Sequence, residues 1–309
     1  MKFFLQILLF FLLVTQIHYP QWTNQNLVPD HNDLWSTFFV DDITGWIVGS
    51  GGFIKKTTNA GNEWFQQNSG TTLILKSVQF VNQNTGWICG ESGLILKSTD
   101  GGTSWDSLAS GTTQHLSDIY FYDTDTGYVV GFNGTILKTI NGGSSWTNLS
   151  SGTTNDLYSM DFVDAFTGYA AGEINDTSSV IKTTDGGINW SMGGNWLDKK
   201  SPCKSIIIDG GSSNNLFITN SDGIFYSADA GITWVLKNKG MNLISISVIK
   251  IIDNKIYAGI HNISLGEYNL STQVPKWEML PKFYTKQTIK KLISFGNTPT
   301  DMLALEGGG

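Results

Sequence analysis

The stretch Ser98-Thr-Asp100-Gly-Gly102-Thr-Ser-Trp105 decides the fold, because close copies of it recur along the chain. The shared pattern is (Ser/Thr)-x-(Asp/Asn)-x-Gly-x-x-Trp, and we call each copy a Trp turn. The Asp/Asn, Gly and Trp of the five copies are Asn59, Gly61 and Trp64; Asp100, Gly102 and Trp105; Asn141, Gly143 and Trp146; Asp185, Gly187 and Trp190; and Asp229, Gly231 and Trp234. With Trp277, which has lost the turn, the tryptophans are 41, 41, 44, 44 and 43 residues apart. A period of about 40 to 45 residues indicates an array of identical supersecondary units.

Each unit predicts four short β-strands. In the second unit these are Leu75–Phe80, Thr85–Gly90, Leu94–Lys97 and a strand that begins near Ser104. They are rich in β-branched, aromatic and aliphatic residues, and Gly, Asn, Asp and Ser separate them. Four strands per unit in radial repetition predict an all-β fold, a β-propeller of four-stranded antiparallel blades.

The second strand of each unit has its own marker, Thr-Gly followed by an aromatic residue. The aromatic residues are Trp46, Trp87, Tyr128 and Tyr169, at a constant spacing of 41 residues. The longer 44-residue step to Trp190 therefore arises after Gly172. We expect a longer loop there, between the second and third strands of the fourth blade.

The residues of the Trp turn have a mechanical explanation. We expect the Asp or Asn to accept a hydrogen bond from the backbone N–H two residues on, and the Gly to permit positive φ. The Trp then enters the fourth strand, where burial of ~150–250 Å² contributes at most ~4–6 kcal/mol. The Asp and Asn residues are therefore predicted to be structural turn caps, not catalytic acids or metal ligands.

The ends of the chain predict a seventh blade. Residues 21–26, around Trp22, resemble an isolated fourth strand, and residues 291–295 and 301–306 resemble a first and a second strand. We expect a seventh blade closed by the N-terminal strand and incomplete at the C-terminus. Residues 21–309 are then a single propeller domain.

The composition of the chain argues against several classes of function. Only 15% of the 309 residues are charged and the net charge is −7, which argues against a nucleic-acid partner. The chain lacks a phosphate-binding loop, a haem motif and a His/Cys metal cluster, so we expect no cofactor, no metal and no catalytic residues. Cys89 and Cys203 fall in different blades and are predicted to be buried free thiols.

The N-terminus predicts export. Lys2 precedes an unbroken apolar run from Phe3 to Val14, which is too short to span a bilayer and is typical of a signal peptide. We assign residues 1–20 to this signal, with no further transmembrane segment. The mature protein is therefore expected to be secreted, periplasmic or displayed at the cell surface.

These motifs together resemble a known family. The Trp turn resembles the Asp-box, or bacterial neuraminidase repeat. With Thr-Gly-(Trp/Tyr) on the second strand and Leu-x-Ser-x-x-Phe on the first, the chain resembles the photosystem II stability/assembly factor family of propellers from Trp22 to Glu306. The resemblance implies a non-enzymatic assembly factor, and a basic patch that contains arginine.

Arginine is absent from this chain, although 19 lysines are present. Sialidases, which share the Asp-box, bind the substrate carboxylate through a cluster of arginines. Lysine reproduces bidentate carboxylate recognition poorly, so the absence of arginine argues against a sialidase mechanism. The implied arginine patch is likewise missing.

Candidate binding residues lie on one set of loops. In a propeller, the loops between the second and third strands share a face with the connections between blades, and ligands sit on such variable loops. We call this the loop face, and its candidate partner-binding residues are Glu91, Phe132, Glu173, Trp196, Lys199 and Lys200. Trp196 beside two lysines is the best single candidate, since aromatic residues are enriched at interfaces.

The sequence thus predicts a non-enzymatic binding module with a protein partner. The competing hypothesis is a carbohydrate-binding or glycoside-hydrolase-like propeller that binds polysaccharide, with Glu91 and Glu173 as paired carboxylates. A third is a surface adhesin module. Loss of polysaccharide hydrolysis when either glutamate is replaced would favour the second.

Overall fold

The computed structural model describes residues 33–174, 177–193, 201–209, 214–238, 246–252, 255–260, 264–269, 277–279, 288–294 and 302–307. The predicted signal peptide, the strand at Trp22, and the candidates Trp196, Lys199 and Lys200 lie outside these residues. No helix among the described residues has the length and apolar character that crossing a membrane requires.

The described strands form six four-stranded antiparallel sheets and one two-stranded sheet, each in sequence order. The first three sheets are β1 (Leu34–Phe39), β2 (Gly45–Gly49), β3 (Phe53–Thr57) and β4 (Phe65–Asn68); β5 (Leu75–Phe80), β6 (Gly86–Gly90), β7 (Ile95–Ser98) and β8 (Asp106–Leu108); and β9 (Leu116–Phe121), β10 (Gly127–Gly131), β11 (Ile136–Thr139) and β12 (Thr147–Leu149). The next three are β13 (Leu157–Phe162), β14 (Gly168–Ile174), β15 (Thr177–Thr183) and β16 (Ser191–Met192); β17 (Ser205–Ile208), β18 (Leu216–Asn220), β19 (Gly223–Ser227) and β20 (Val235–Leu236); and β21 (Ile246–Ile252), β22 (Lys255–Ile260), β23 (Ser264–Asn269) and β24 (Trp277–Met279). The two-stranded sheet is β25 (Thr288–Ser294) and β26 (Met302–Gly307).

The first strand of every sheet lies at the centre of the molecule. β1 lies beside β5, and the succession continues through β9, β13, β17 and β21 to β25. β25 also lies beside β1, so the ring of first strands closes on itself. The molecule is therefore the predicted β-propeller of seven blades, and β25 and β26 are the two C-terminal strands that the sequence indicated.

The Trp turns differ from expectation in one hydrogen bond. The Asp100 carboxylate Oδ1 accepts from the backbone N–H of Ser104 at 2.9 Å, four residues on and not two. The reason is the Ser98 hydroxyl, which accepts from the nearer amides of Asp100 and Gly102 and donates to Asp100 Oδ1 at 2.9 Å. The predicted positive φ is confirmed at the turn glycine, with 84° at Gly102.

The Trp turns of blades two, three and four also bind the preceding blade. Trp46 Nε1 and Lys56 Nζ of blade one donate to Gly101 O in the Trp turn of blade two, at 3.2 and 3.0 Å. The Trp46 ring stacks on Phe80 of β5, with centroids 3.5 Å apart. We call this set of contacts the blade joint.

The blade joint repeats between blades two and three and between blades three and four. In the second joint, Trp87 and Lys97 donate to Gly142 O at 3.1 and 2.8 Å. In the third, Tyr128 and Lys138 donate to Gly186 O at 2.8 and 2.6 Å. The aromatic marker of the second strand therefore joins blades, a role that its position in the sequence did not reveal.

The second-strand aromatics are more deeply buried than the turn tryptophans. Trp46, Trp87, Tyr128 and Tyr169 on the second strands are 0–1% exposed, whereas Trp105 is half-buried and directly precedes β8. The second-strand aromatics lie between two sheets, whereas each turn tryptophan directly precedes the fourth, outermost strand of its blade. The turn tryptophans are buried to different extents, from the half-buried Trp105 to Trp190 at 8% exposure, and they pack against the core clusters as well.

Both cysteines are free and buried, as predicted. Cys89 lies on β6 and Cys203 directly precedes β17. Burial raises the pKa of the Cys203 thiol to about 12, so little reactive thiolate forms at neutral pH. The two thiols therefore serve as small apolar side chains in the core.

Candidate functional site at the mouth of the central channel

A β-bulge recurs at the start of the innermost strands. The register of β1 on β2 shifts between Leu34 and Ser36, which leaves Trp35 as the bulged residue. The same shift occurs in β5, β9 and β13, at Lys76, Ser117 and Tyr158. Bulges redirect side chains at the rims of closed sheets. These positions surround the mouth of the central channel on the loop face.

One side of the mouth carries a cation above an aromatic ring. Lys76 Nζ lies 3.2 Å from the centroid of the Trp35 ring, across the boundary between blades one and two. Trp35 Nε1 donates to Ser50 Oγ at 3.2 Å, which fixes the ring against the loop after β2. An aromatic plane and an ammonium group are thus held side by side at the channel mouth.

Blades three and four carry a chain of three rings at the mouth. The Phe132 ring contacts His115 edge-on with centroids 5.3 Å apart, and contacts Tyr158 edge-on at 6.1 Å. Backbone contacts fix the rings, because Phe132 N donates to His115 O at 2.9 Å. His115 Nδ1 in turn accepts from Ser92 N at 3.3 Å. The rings therefore form a continuous ridge from blade three to blade four.

Tyr158 also joins opposite charges. Its hydroxyl donates to the Glu173 carboxylate, and Lys204 Nζ lies 4.8 Å from the centroid of its ring. Burial, followed by that hydrogen bond and the negative charge of Glu173, raises the pKa of the Tyr158 hydroxyl. Tyr158 therefore stays protonated and serves as a hydrogen-bond donor at neutral pH.

The extra residues of blade four form strand, not loop. β14 and β15 are seven residues each, and their pairing continues from Gly172–Ser179 to Glu173–Ser178 and Ile174–Thr177. In blades one and two a short 3-10 turn replaces this extension. The expected long loop is thus a hairpin that extends blade four on the loop face, because the added residues continue the antiparallel ladder.

Glu91, Phe132 and Glu173 occupy equivalent positions on the loop face, as expected. Each follows the last Gly of a second strand, and its N–H donates to the carbonyl before the first strand, namely Ile74 O, His115 O or Asp156 O. The structure brings Phe132 and Glu173 together around Tyr158, and Glu91 lies in blade two. The sequence signal that was missed is the bulge position, which changes identity between Trp35, Lys76, Ser117 and Tyr158 while its neighbours repeat.

Among the described residues, no group of three or more His, Cys, Asp or Glu side chains is placed to hold a metal ion. The mouth instead offers aromatic rings, the ammonium groups of Lys76 and Lys204, and the carboxylates of Glu173 and Asp156. Such groups bind a ligand through stacking, charge and hydrogen bonds.

Comparisons with known proteins agree with this architecture. The family model described as "Photosynthesis system II assembly factor YCF48" matches residues 14–113 and 108–305. Two solved structures are similar in fold. YCF48 from Cyanidioschyzon merolae has 17% identity and a TM-score of 0.74, and covers 91% of this chain and 94% of its own. A YCF48 bound to D1 peptide has 16% identity and a TM-score of 0.73, with 94% of both chains covered.

A glycoside hydrolase shares part of the fold. The GH74 enzyme of Niastella koreensis has 17% identity and a TM-score of 0.63, and the match covers 79% of this chain but 46% of the enzyme. The curated proteins give no match. Because the family model extends over most of the sequence, the chain belongs to the photosystem II assembly factor YCF48 family of β-propellers.

Proposed function

We propose that the protein is a non-enzymatic binding module that holds a segment of a partner protein at the channel mouth. The observation that carries this proposal is the set of aromatic and cationic side chains that the bulges place there, namely Trp35, Lys76 and Tyr158. In the regular part of the ring these are among the positions where one blade differs from the next. A related propeller with a bound D1 peptide supports a polypeptide as the ligand.

The geometry of the glutamates favours binding over hydrolysis. Glycosidases place two carboxyl groups on opposite sides of one bond, at most ~9.5 Å apart. Glu91 and Glu173 instead occupy equivalent positions two blades apart, and the Glu173 carboxylate accepts the Tyr158 hydroxyl. We therefore assign no catalytic role to either. The apolar N-terminal run supports a secreted, periplasmic or surface location for the module.

The test is cross-linking capture with a matched variant. The immobilised chain is incubated with a cell-envelope extract of the organism that encodes it, cross-linked through lysines and analysed by mass spectrometry. The variant combines Lys76→Ser with Tyr158→Ser, because Ser117 occupies the same bulge position in blade three. It therefore alters the mouth with residues that the fold already accepts.

We expect the wild type to capture a specific protein and the double variant to lose it, with the cross-links mapping to the mouth. Equal capture by both chains would contradict the proposal. Recovery of polysaccharide alone, or hydrolysis of a polysaccharide that is lost in Glu173→Gln, would replace the proposal with the carbohydrate-active alternative.

A further inference from the structure

The face opposite the mouth carries a second unusual surface. We call it the turn face, because it bears the Trp turns and the loops between first and second strands. Large apolar side chains are exposed on it: Ile140 at 73%, Ile188 at 69%, Phe166 at 65% and Tyr122 at 53%. All four belong to blades three and four, while blades one and five each expose one such residue at an equivalent turn, Ile43 at 52% and Ile232 at 58%. Exposed apolar groups that cluster in this way mark interaction sites.

These side chains lie around one blade joint. Phe166 O accepts from Gly186 N at 2.9 Å, and Gly186 O accepts from Lys138 Nζ at 2.6 Å. Ile188 is two residues beyond Gly186, and Ile140 is two residues beyond Lys138. These hydrogen bonds and the short sequence separations therefore keep Phe166, Ile188 and Ile140 close together on the turn face.

The repeat itself does not require this apolar character. Blade two carries Thr99 where blade three carries Ile140, and Asn84 and Thr103 where blade four carries Phe166 and Ile188. All three polar residues are exposed in the same turns. The apolar side chains therefore contribute little to the fold, and another role explains them.

The charge around the apolar residues is negative. Asp123, Asp125 and Asp164 are exposed beside them. Hydrogen bonds from the backbone N–H groups of Phe166 and Thr167 lower the pKa of Asp164, so it stays ionised. The nearby cations Lys97 and Lys138 each donate to a glycine carbonyl oxygen, at Gly142 and Gly186. A ligand on this surface meets apolar side chains framed by carboxylates.

We propose that the turn face of blades three and four is a docking surface for a cationic amphipathic segment of a partner protein. The apolar side of such a segment covers Ile140, Phe166 and Ile188, and its lysines or arginines face the aspartates. Charge complementarity selects this occupant, because an anionic segment would be repelled by the same carboxylates. The surface is separate from the mouth, so the molecule has a binding surface on each face.

The test uses a defined probe, a fluorescent amphipathic Leu/Lys peptide of ~18 residues, or about five helical turns. Its binding to the full chain is measured by fluorescence anisotropy. The variant Ile140→Thr/Phe166→Asn/Ile188→Thr carries the residues of blade two, and its melting temperature verifies that it folds. We expect the variant to bind at least about tenfold more weakly, a loss of about 1.4 kcal/mol.

Three controls decide the proposal. A Leu/Glu peptide of the same pattern should not bind, and the mouth variant Lys76→Ser/Tyr158→Ser should bind the Leu/Lys peptide as tightly as the wild type. Equal affinity of the wild type and the triple variant would overturn the proposal, because it would show general charge attraction only. Dimerisation of the wild type but not the triple variant in sedimentation would overturn it as well, since the occupant would be a second copy of the chain.

Discussion

The blade joints and the channel mouth follow opposite rules, although both are built at the same residue period. At three joints an aromatic donor, Trp or Tyr, a lysine and a glycine carbonyl recur, with donor distances of 2.6–3.2 Å. At the mouth the equivalent bulged position is Trp, Lys, Ser or Tyr. Repetition therefore marks residues that stabilise the ring, and variation within the repeat marks residues available for recognition.

The largest expected effect is at a joint. Trp87→Ala should lower the free energy of unfolding by about 3–5 kcal/mol, because it opens a cavity and removes the donor to Gly142 O. Trp105→Ala should cost less, since that ring is half-buried. Denaturant unfolding measures both. Trp87→Tyr is the matched control, because Tyr128 makes the same bond in the next joint; a larger loss for Trp105→Ala would reverse the ranking of the anchors.

The second-largest expected loss of stability follows from removal of the Ser98 hydroxyl in the Trp turn. Ser98→Ala removes an acceptor for two backbone N–H groups and should cost about 1–3 kcal/mol in denaturant unfolding. Ser98→Thr should be nearly neutral, because Thr139 makes the same bonds in blade three. Equal stability of the Ala and Thr variants would show that the turn does not depend on this hydroxyl.

A substitution at the mouth should leave the fold nearly unchanged. Lys76→Ser removes one ammonium–ring contact with Trp35 between two half-buried side chains, which contributes about 0.5–2 kcal/mol. Thermal unfolding checks the stability, and partner capture checks the binding. A destabilisation as large as that of Trp87→Ala would abolish the distinction between joints and mouth.

The smallest effect depends on pH. Hydrogen bonds from Ser104, backbone first, lower the pKa of Asp100 from 3.8 to about 2. Because the folded value is the lower one, the carboxylate stabilises the fold above about pH 4, and that stabilisation is lost as the pH falls through about 2.

Asp100→Asn should retain the turn at neutral pH, since Asn141 Oδ1 accepts the same backbone bond at 2.9 Å. The stability advantage of the wild type over this variant should then shrink between about pH 4 and pH 2. Acid titration of both chains by circular dichroism measures it. Parallel acid transitions would show that the Asp100 charge does not contribute.

The sequence predicted the elements that depend on local rules. The strand Leu75–Phe80, the left-handed Gly102 and the period of the blades were all evident, because alternation, turn chemistry and repetition are local properties. It also identified Phe132 and Glu173 as loop-face residues, since equivalent positions can be counted along a repeat.

Only the tertiary structure decided which residues make the contacts between blades and which surround the channel mouth. That Trp87 and not Trp105 is the buried anchor depends on which side of the strand faces the next sheet, and Gly142 O is 55 residues away. That Trp35, Lys76 and Tyr158 surround the mouth depends on a bulge that strand pairing creates. A single sequence does not reveal the buried anchor, because it depends on contacts between residues more than forty positions apart. It does not reveal the mouth residues either, because the bulges depend on the register of two strands.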